Sequence, residues 1–336
     1  MKAIIPTAGR GTRLYPHTHT RPKPLVRVAG EPILGHILSR FRPTDVSEVV
    51  IVVGGPMQGQ VIEYVETEFG EAFEVTFVEQ ANPEGLGHSI YQANDVVDGA
   101  AIIVLGDMLF ESGYDAFLER HDAIGGDVDA TIGVKPVAEP RHYGVVDPAG
   151  DGTIAGLVEK PDDPPSELAI SGVYVVENTD LLFAELGRLV EEGIRGAGGE
   201  YQLTDALQGM IDQGATLGTF DVEDWYDCGR PETLLEANRV MLDRLETDGA
   251  GGTEDAVVVP PVDIGEDVTV ARSVIGPYVS VDDGAEIRDS IVRDSLVGRD
   301  SRITDGNVGR SIIGDNAEID GECNQLNVGD NSAIEL

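Results

Sequence analysis

From Val262 onward an apolar residue returns every five or six positions: Ile264, Val270, Ile275, Val281, Ile287, Val292, Val297 and Ile303. Glycine often follows, as in "IGEDV", "IGPYV" and "IGDNA". A six-residue apolar repeat with small residues at fixed offsets marks a parallel β-helix, in which each coil stacks its apolar corner on the next. One coil cannot bury that corner alone, so residues 262–336 are expected to fold as one hexapeptide-repeat domain of about four left-handed coils. Residues Leu326–Leu336 fit the repeat poorly and read as a cap or a partner contact.

The chain before it has another rhythm. Strand-like runs (Ala3–Ile5, Val49–Val53, Val75–Val78, Ile102–Leu105, Thr131–Val134) alternate with segments of helical spacing (Pro32–Phe41, Gln60–Phe69, Leu86–Val97, Tyr114–Ile124). Such alternation predicts an α/β domain with a Rossmann-like, mixed but mainly parallel sheet. Further strands are expected at Tyr143–Val146, Thr153–Val158, Ile170–Val176 and Leu217–Val222, and helices near Thr204–Gln213 and over Glu232–Glu246, with Pro231 in the first turn. Residues 1–246 therefore read as one domain. The segment 247–261, "TDGAGGTEDAVVVPP", reads as a linker.

The 336 residues carry 61 acidic and 23 basic side chains, a net charge of −38. With 41% hydrophobic residues and no long acidic run, this is not an acidic disordered chain. Acids spread over a folded surface suit a salt-rich cytoplasm, and hence a halophile, because salt shortens the reach of self-repulsion. No basic face offers itself to nucleic acid. Lysine is scarce, with only Lys2, Lys23, Lys135 and Lys160, so Lys23 and Lys160, each before a proline, draw notice. Cys228 and Cys323 lie too far apart for a disulfide framework or a metal knuckle. The expectation is a cytoplasmic protein, with no signal peptide and no apolar run long enough for a membrane.

One loop departs from the acidic background. "PTAGRGTRLYPHTHTRPKPL", Pro6 to Leu25, has two glycines, cations and no carboxylate. It lacks the third glycine of a dinucleotide fingerprint and the G-x-x-x-x-G-K-[ST] of a P-loop. What remains is a glycine turn whose bare amides can approach phosphate oxygens, with Arg13 and Lys23 as side-chain donors. The bland reading is a solvated turn. His17-x-His19 has no third ligand and makes a poor metal cage.

"AGRGTRLYP" followed by "RPKPL" closely resembles the signature of the sugar-phosphate nucleotidyltransferases, also called nucleotide-sugar pyrophosphorylases. "EQANPEGLGHSI", "VLGDM", "YGVVD", "LVEKP", "ISGVYVV", "EYQLTDA" and "WYDCG" follow in the family's order, covering about residues 1–245. The likeness is greatest to the long-form glucose-1-phosphate thymidylyltransferases, which also carry a C-terminal β-helix. The resemblance implies that a hexose 1-phosphate attacks the α-phosphorus of a nucleoside triphosphate and pyrophosphate leaves, with Mg²⁺ as cofactor.

Carried over by motif, Gly9 and Gly11 cradle the triphosphate, Arg13 holds the leaving pyrophosphate, and Lys23 contacts the phosphates at the reacting centre. Asp107, at the end of a buried strand, and Asp227 hold Mg²⁺; a lone Asp in the first position would read as a helix N-cap. Lys160 grips the sugar phosphate, Glu159 accepts from sugar hydroxyls, and Gly144 and Gly172 line the sugar pocket; the plainer reading of Glu159-Lys160 is an exposed charge pair. Gln80 and Gly85 are expected to read the base, since a carboxamide matches the N3–H and carbonyl edge of thymine or uracil without separating dTTP from UTP.

Some residues depart from the family pattern. Pro6-Thr7 precedes the glycine loop as in uridylyltransferases, and Met108 follows Asp107 where thymidylyl enzymes often have Asn. Gly198 stands where many relatives have a phosphate-binding Arg, with Arg195 the nearest candidate. A UTP-specific or amino-sugar-1-phosphate uridylyltransferase is therefore the alternative, and a non-catalytic sugar-nucleotide sensor a third reading. Sensors tend to lose charged catalytic residues, and these are all present. Acetyl transfer by the β-helix is not expected, because all six histidines lie at or before His142. Subunit assembly into a homo-oligomer is its expected task. Cys228 needs no nucleophilic role.

Overall fold

The computed structural model describes residues 1–125, 128–150, 152–223, 225–245, 255–321 and 325–335. Their contacts form two compact units that do not follow chain order: Met1–Arg10 with Ile37–Trp225, and Gly11–His36 with Tyr226–Leu336.

The first unit is built on a nine-stranded mixed sheet of β1 (Lys2–Pro6), β2 (Glu48–Val53), β3 (Glu74–Glu79), β4 (Ala101–Val104), β5 (Ala130–Pro136), β6 (Gly144–Pro148), β7 (Ile154–Glu159), β8 (Leu168–Val176) and β9 (Leu217–Asp221). The main path runs β7-β6-β8-β4-β1-β2-β3, and β5 joins β8 to β9. β1 is parallel to β2 and β4, and β2 to β3. β8 reverses direction against β4, β5 and β6. Ala3, Ile4 and Ile5 are fully buried. A central strand covered on both faces reads as a continuous apolar run rather than an alternation.

Helices α1 (Gln58–Phe69), α2 (Leu86–Tyr91), α3 (Tyr114–Ile124), α4 (Thr179–Glu192) and α5 (Leu203–Asp212) belong to this unit. Ile90, Leu182, Leu186 and Leu207 share one core with Ile4, Val50, Ile103 and Val176. α2 stops at Tyr91, short of the expected Val97. Beyond Tyr91 the backbone bonds tighten to a three-residue spacing, Gln92 to Ser89 and Ala93 to Ile90, before Asn94 and Asp95, which favour turns. α4 was not expected from the sequence. Its signals are present nonetheless: Asn178 accepts from the Leu181 amide at 3.2 Å, and Gly193 closes the helix at φ 67°.

In the second unit, three all-parallel sheets form the left-handed β-helix. Val270, Ile287, Ile303, Ile319 and Ile334 stand opposite one another in consecutive coils. Ile275, Val281, Val292 and Val297 bury beside them, whereas Ile264 is only partly buried. Val257–Val258 pair with Val274–Ile275, so the β-helix begins inside the segment expected as a linker. Residues 247–254 of that segment, and Cys323, lie outside the described residues. Asn327–Val328 and Ala333–Glu335 pair with the preceding coil, so the segment expected to fit poorly continues the stack. Helix α6 (Pro231–Arg244) starts with Pro231 as expected. Its fully buried Asn238 accepts from the Ala29 amide (2.8 Å) and from Ser280 Oγ (2.7 Å), joining helix, N-terminal segment and β-helix. Among the described residues no helix is long and apolar enough to cross a membrane.

Candidate active site

The expected site residues fall into two groups, each within one unit. In the second unit, Gly11 opens a 3-10 turn over Thr12–Leu14 in the left-handed conformation, φ 61°. Its carbonyl accepts from the Leu14 amide (3.0 Å) and Thr18 Oγ1 (2.8 Å). A Cβ added there would lie 3.1 Å from Lys23 Cβ, so Gly11 lets the lysine pack against the turn. Arg13 points into solvent, while Lys23 is only 7% exposed.

Lys23 Nζ stands 3.8 Å from Asp227 Oδ1. That oxygen is buried and accepts no hydrogen bond among the described residues. A Cβ added at Gly229 would come within 2.6 Å of it and 3.0 Å of Lys23 Nζ, so the glycine keeps the approach clear. A buried carboxylate oxygen with unused lone pairs is costly unless something else takes them. Oxygen donors of this kind suit a hard divalent cation. Cys228 is buried, its thiol near the Tyr226 carbonyl at 3.7 Å, as a packing residue would be. His17 binds Asn327, and no group of three or more His, Cys, Asp or Glu that could hold a metal forms among the described residues.

In the first unit, Asp107 lies in the turn just past β4, beyond the carboxyl end of a strand parallel to β1. The turn is fixed by the Gly106 amide on Pro6 O (3.2 Å) and the Leu105 amide on Gly172 O (3.1 Å). Gly172 has φ 91°, and a Cβ there would meet Leu105 Cδ1 at 2.9 Å. Glycine is thus required by the protein's own packing under Asp107. A Cβ on Gly9 would meet nothing within 4 Å.

Glu159 ends β7 and is well buried. Its Oε2 accepts from Thr204 Oγ1 at 2.7 Å, and its Oε1 lies 3.1 Å from Lys160 Nζ. A Cβ on Gly144 would sit 2.9 Å from Glu159 Oε2, so this glycine protects the carboxylate as well as any sugar. Lys160 holds the uncommon φ of 45°, with its amide on Tyr143 O at 2.9 Å. Its ammonium is half exposed and, beside its contact with Glu159, able to meet an anion. Asp205, in the first turn of α5, has its carboxyl pushed up by burial and by the negative charge of Glu159.

Gln80 is 4% exposed, and its Nε2 donates to Gly85 O (3.1 Å) and faces His88 Nδ1 (3.0 Å). With its amide hydrogens used inside the protein, what it offers a base is the Oε1 acceptor. Gly85 caps α2 at φ 115°, where a Cβ would strike Tyr201 O at 2.6 Å. Arg195 is committed elsewhere: it donates to Glu84 Oε1 (2.6 Å) and Gly199 O (3.0 Å) and lies over the Tyr201 ring. Sequence reasoning missed Thr204, Asp205 and His88 as partners of Glu159 and Gln80, although "EYQLTDA" and "EGLGHSI" contain them.

The family model described as Nucleotidyl transferase matches residues 2–244. The chain is 31% identical to the low-salt glycan biosynthesis nucleotidyltransferase Agl11 of Haloferax volcanii, over 100% of both chains. It is 32% identical to a glucose-1-phosphate thymidylyltransferase of Streptomyces antibioticus, over 100% of this chain and 99% of that one. The structure of the UDP-glucose pyrophosphorylase of Acinetobacter baumanii superimposes with a TM-score of 0.60 and 24% identity, over 73% of this chain and 94% of that chain, a likeness of fold.

Proposed function

The chain belongs to the nucleotidyl transferase family and is a nucleotidyltransferase; from that premise we propose that it transfers a nucleotidyl group from dTTP or UTP to a hexose 1-phosphate. Glucose 1-phosphate is the proposed acceptor, and an NDP-sugar and pyrophosphate are the products. The observation that carries this reading is the pairing of buried Lys23 with Asp227, whose Oδ1 is buried without a hydrogen bond. Relatives matched over the full chain and named for nucleotidyl and thymidylyl transfer support it.

The chemistry must bring two polyanions together and stabilise charge at an in-line phosphorus. Gly9 and Gly11 present backbone amides to the triphosphate. Arg13 holds the leaving pyrophosphate, and Lys23 neutralises charge at the reacting centre. Lys160 fixes the attacking phosphate, while Glu159, oriented by Thr204, accepts from sugar hydroxyls. Gln80 and Gly85 set the base. Asp227, with its unused buried oxygen, fits a divalent metal, proposed as Mg²⁺, and Asp107 is proposed as its second carboxylate ligand. When bound it supplies positive charge to the phosphate oxygens. The acidic surface suits a salt-rich cytoplasm as the working medium.

The test is pyrophosphate release with glucose 1-phosphate, Mg²⁺ and molar KCl, across dTTP, UTP, CTP, ATP and GTP. Release with dTTP or UTP supports the proposal and names the donor. Binding of dTTP without turnover on any sugar phosphate would instead make the chain a sensor.

A further inference from the structure

The N-terminal segment that carries Arg13 and Lys23 belongs to the same compact unit as the β-helix, and the two are joined by side chains almost the whole chain apart. Arg21 pairs with Asp315 and lies 4.0 Å from Asp330; Thr20 donates to Asp330. His17 Nε2 meets Asn327 Oδ1 at 2.5 Å, and Arg27 Nη1 lies 3.2 Å from Asp282. These are sheltered contacts: Asp330 and Asp282 keep only 7% and 9% of their side-chain surface exposed. Such pairs are screened less by salt than surface ones.

The two aspartates divide their oxygens. Oδ1 of Asp315 accepts the Arg299 amide (3.0 Å) and Oδ1 of Asp330 accepts the Asp315 amide (2.7 Å), both within the coils. Their Oδ2 atoms turn to Thr20 and Arg21. An earlier coil shows the contrast: Asp283 Oδ1 accepts the Glu266 amide, but its Oδ2 takes Arg299 of the β-helix itself. Beside the aspartates runs a column of glycines. A Cβ on Gly298 would strike Gly314, one on Gly314 would strike Gly329, and one on Gly329 would lie 2.7 Å from Pro16 Cβ. The N-terminal segment thus seats itself on the last two coils as a further coil would.

We propose that the β-helix is the seat of the phosphate-gripping loop, with Asp315, Asp330 and Asn327 as positioning residues for nucleotidyl transfer. They touch no substrate and act through Arg21, Thr20 and His17 on the placement of Arg13 and Lys23. The proposal rests on the assignment of those two cations to the triphosphate. Transferring groups must be held closely, and a misplacement of about 1 Å costs on the order of 10²-fold in rate.

The test uses the full chain carrying D315N and D330N together, and separately G329V. Asn keeps the Oδ1 acceptor that each coil needs, while an NH2 donor replaces the charged Oδ2 acceptor that Arg21 and Thr20 use. G329V leaves the charges and crowds Pro16. Two readouts are taken, hydrogen exchange of residues 11–25 and steady-state kinetics for both substrates. The expected result is faster exchange in that segment for both variants, with kcat/KM for the triphosphate lowered about 10- to 100-fold. KM for the sugar phosphate should stay within twofold of wild type, and R21K should restore more activity than R21A. Unchanged exchange overturns the proposal, and so does faster exchange with unchanged triphosphate kinetics. A wild-type protein inactive with every triphosphate would instead overturn the functional assignment, which exchange alone does not probe.

Discussion

Arg195 and Glu84 face each other between two loops of the first unit, guanidinium to carboxylate at 2.6 Å, with Arg195 4.2 Å above the Tyr201 ring. The pair ties the turn before Gly85 to the segment leading into α5. This position favours a role for Arg195 in bracing the turn proposed to read the base, rather than in holding a phosphate. Arg195→Ala should therefore raise the KM for the triphosphate more than that for the sugar phosphate, in a two-substrate kinetic grid. The reverse ranking would return Arg195 to the sugar phosphate.

The same pair sets a pH dependence. The Arg195 hydrogen bond holds the Glu84 carboxyl below its ordinary value of 4.5. A depressed carboxylate stabilises the fold fully above 4.5 and loses that contribution as pH falls through the lower folded value. Glu84→Gln should then denature earlier than wild type at pH 7, and the two curves should converge as pH falls from 4.5 through the lower folded value. Because the pair is exposed, molar KCl should shrink the difference at pH 7.

Asp227→Asn removes the charge beside Lys23 and should lower kcat by about 10²–10³, the scale for losing one electrostatic element of a transition state. Oδ1 accepts no hydrogen bond that the substitution could break, but buried Lys23 loses its counter-charge, so the melting temperature should fall while the fold is kept. Pyrophosphate release and a thermal melt, run on one preparation, check both statements.

Thr204→Val deletes the 2.7 Å bond to Glu159 Oε2. A hydrogen bond to a charged group is worth about 1.5–3 kcal/mol, so KM for the sugar phosphate should rise about tenfold or more, with nucleotide KM unchanged. Gly144→Ala, whose Cβ would crowd the same oxygen, should shift the same constant.

Ile303 is fully buried between Ile287 and Ile319. Ile303→Ala should destabilise the second unit by about 2–5 kcal/mol, read as a lower denaturant midpoint. An effect within error would mean that the coils do not share one core.

The β-helix was legible in the sequence because one short repeat dictates both strand and core, and Val270, Ile287 and Ile303 each carry the signal alone. The charge pair of Glu159 with Lys160 was legible because adjacent residues need no tertiary information to be found. The partners that orient them were not: Thr204 reaches Glu159 across 45 positions, and periodicity says nothing about such pairs. α4 is a different case, since Asn178, Leu182, Leu186 and Leu189 spell a capped amphipathic helix that sequence reasoning passed over. The docking of the N-terminal segment left no trace in the sequence, because Arg21 meets Asp315 over 294 positions and His17 meets Asn327 over 310.

Those separations also set an order of events during synthesis. A ribosome adding about 5–20 residues per second makes Arg21 well before Asp315, which follows 294 residues later. For most of that interval the nascent chain displays the loop's arginines and lysine with nothing to rest on. The loop proposed to grip phosphate is translated long before the coils that it rests on.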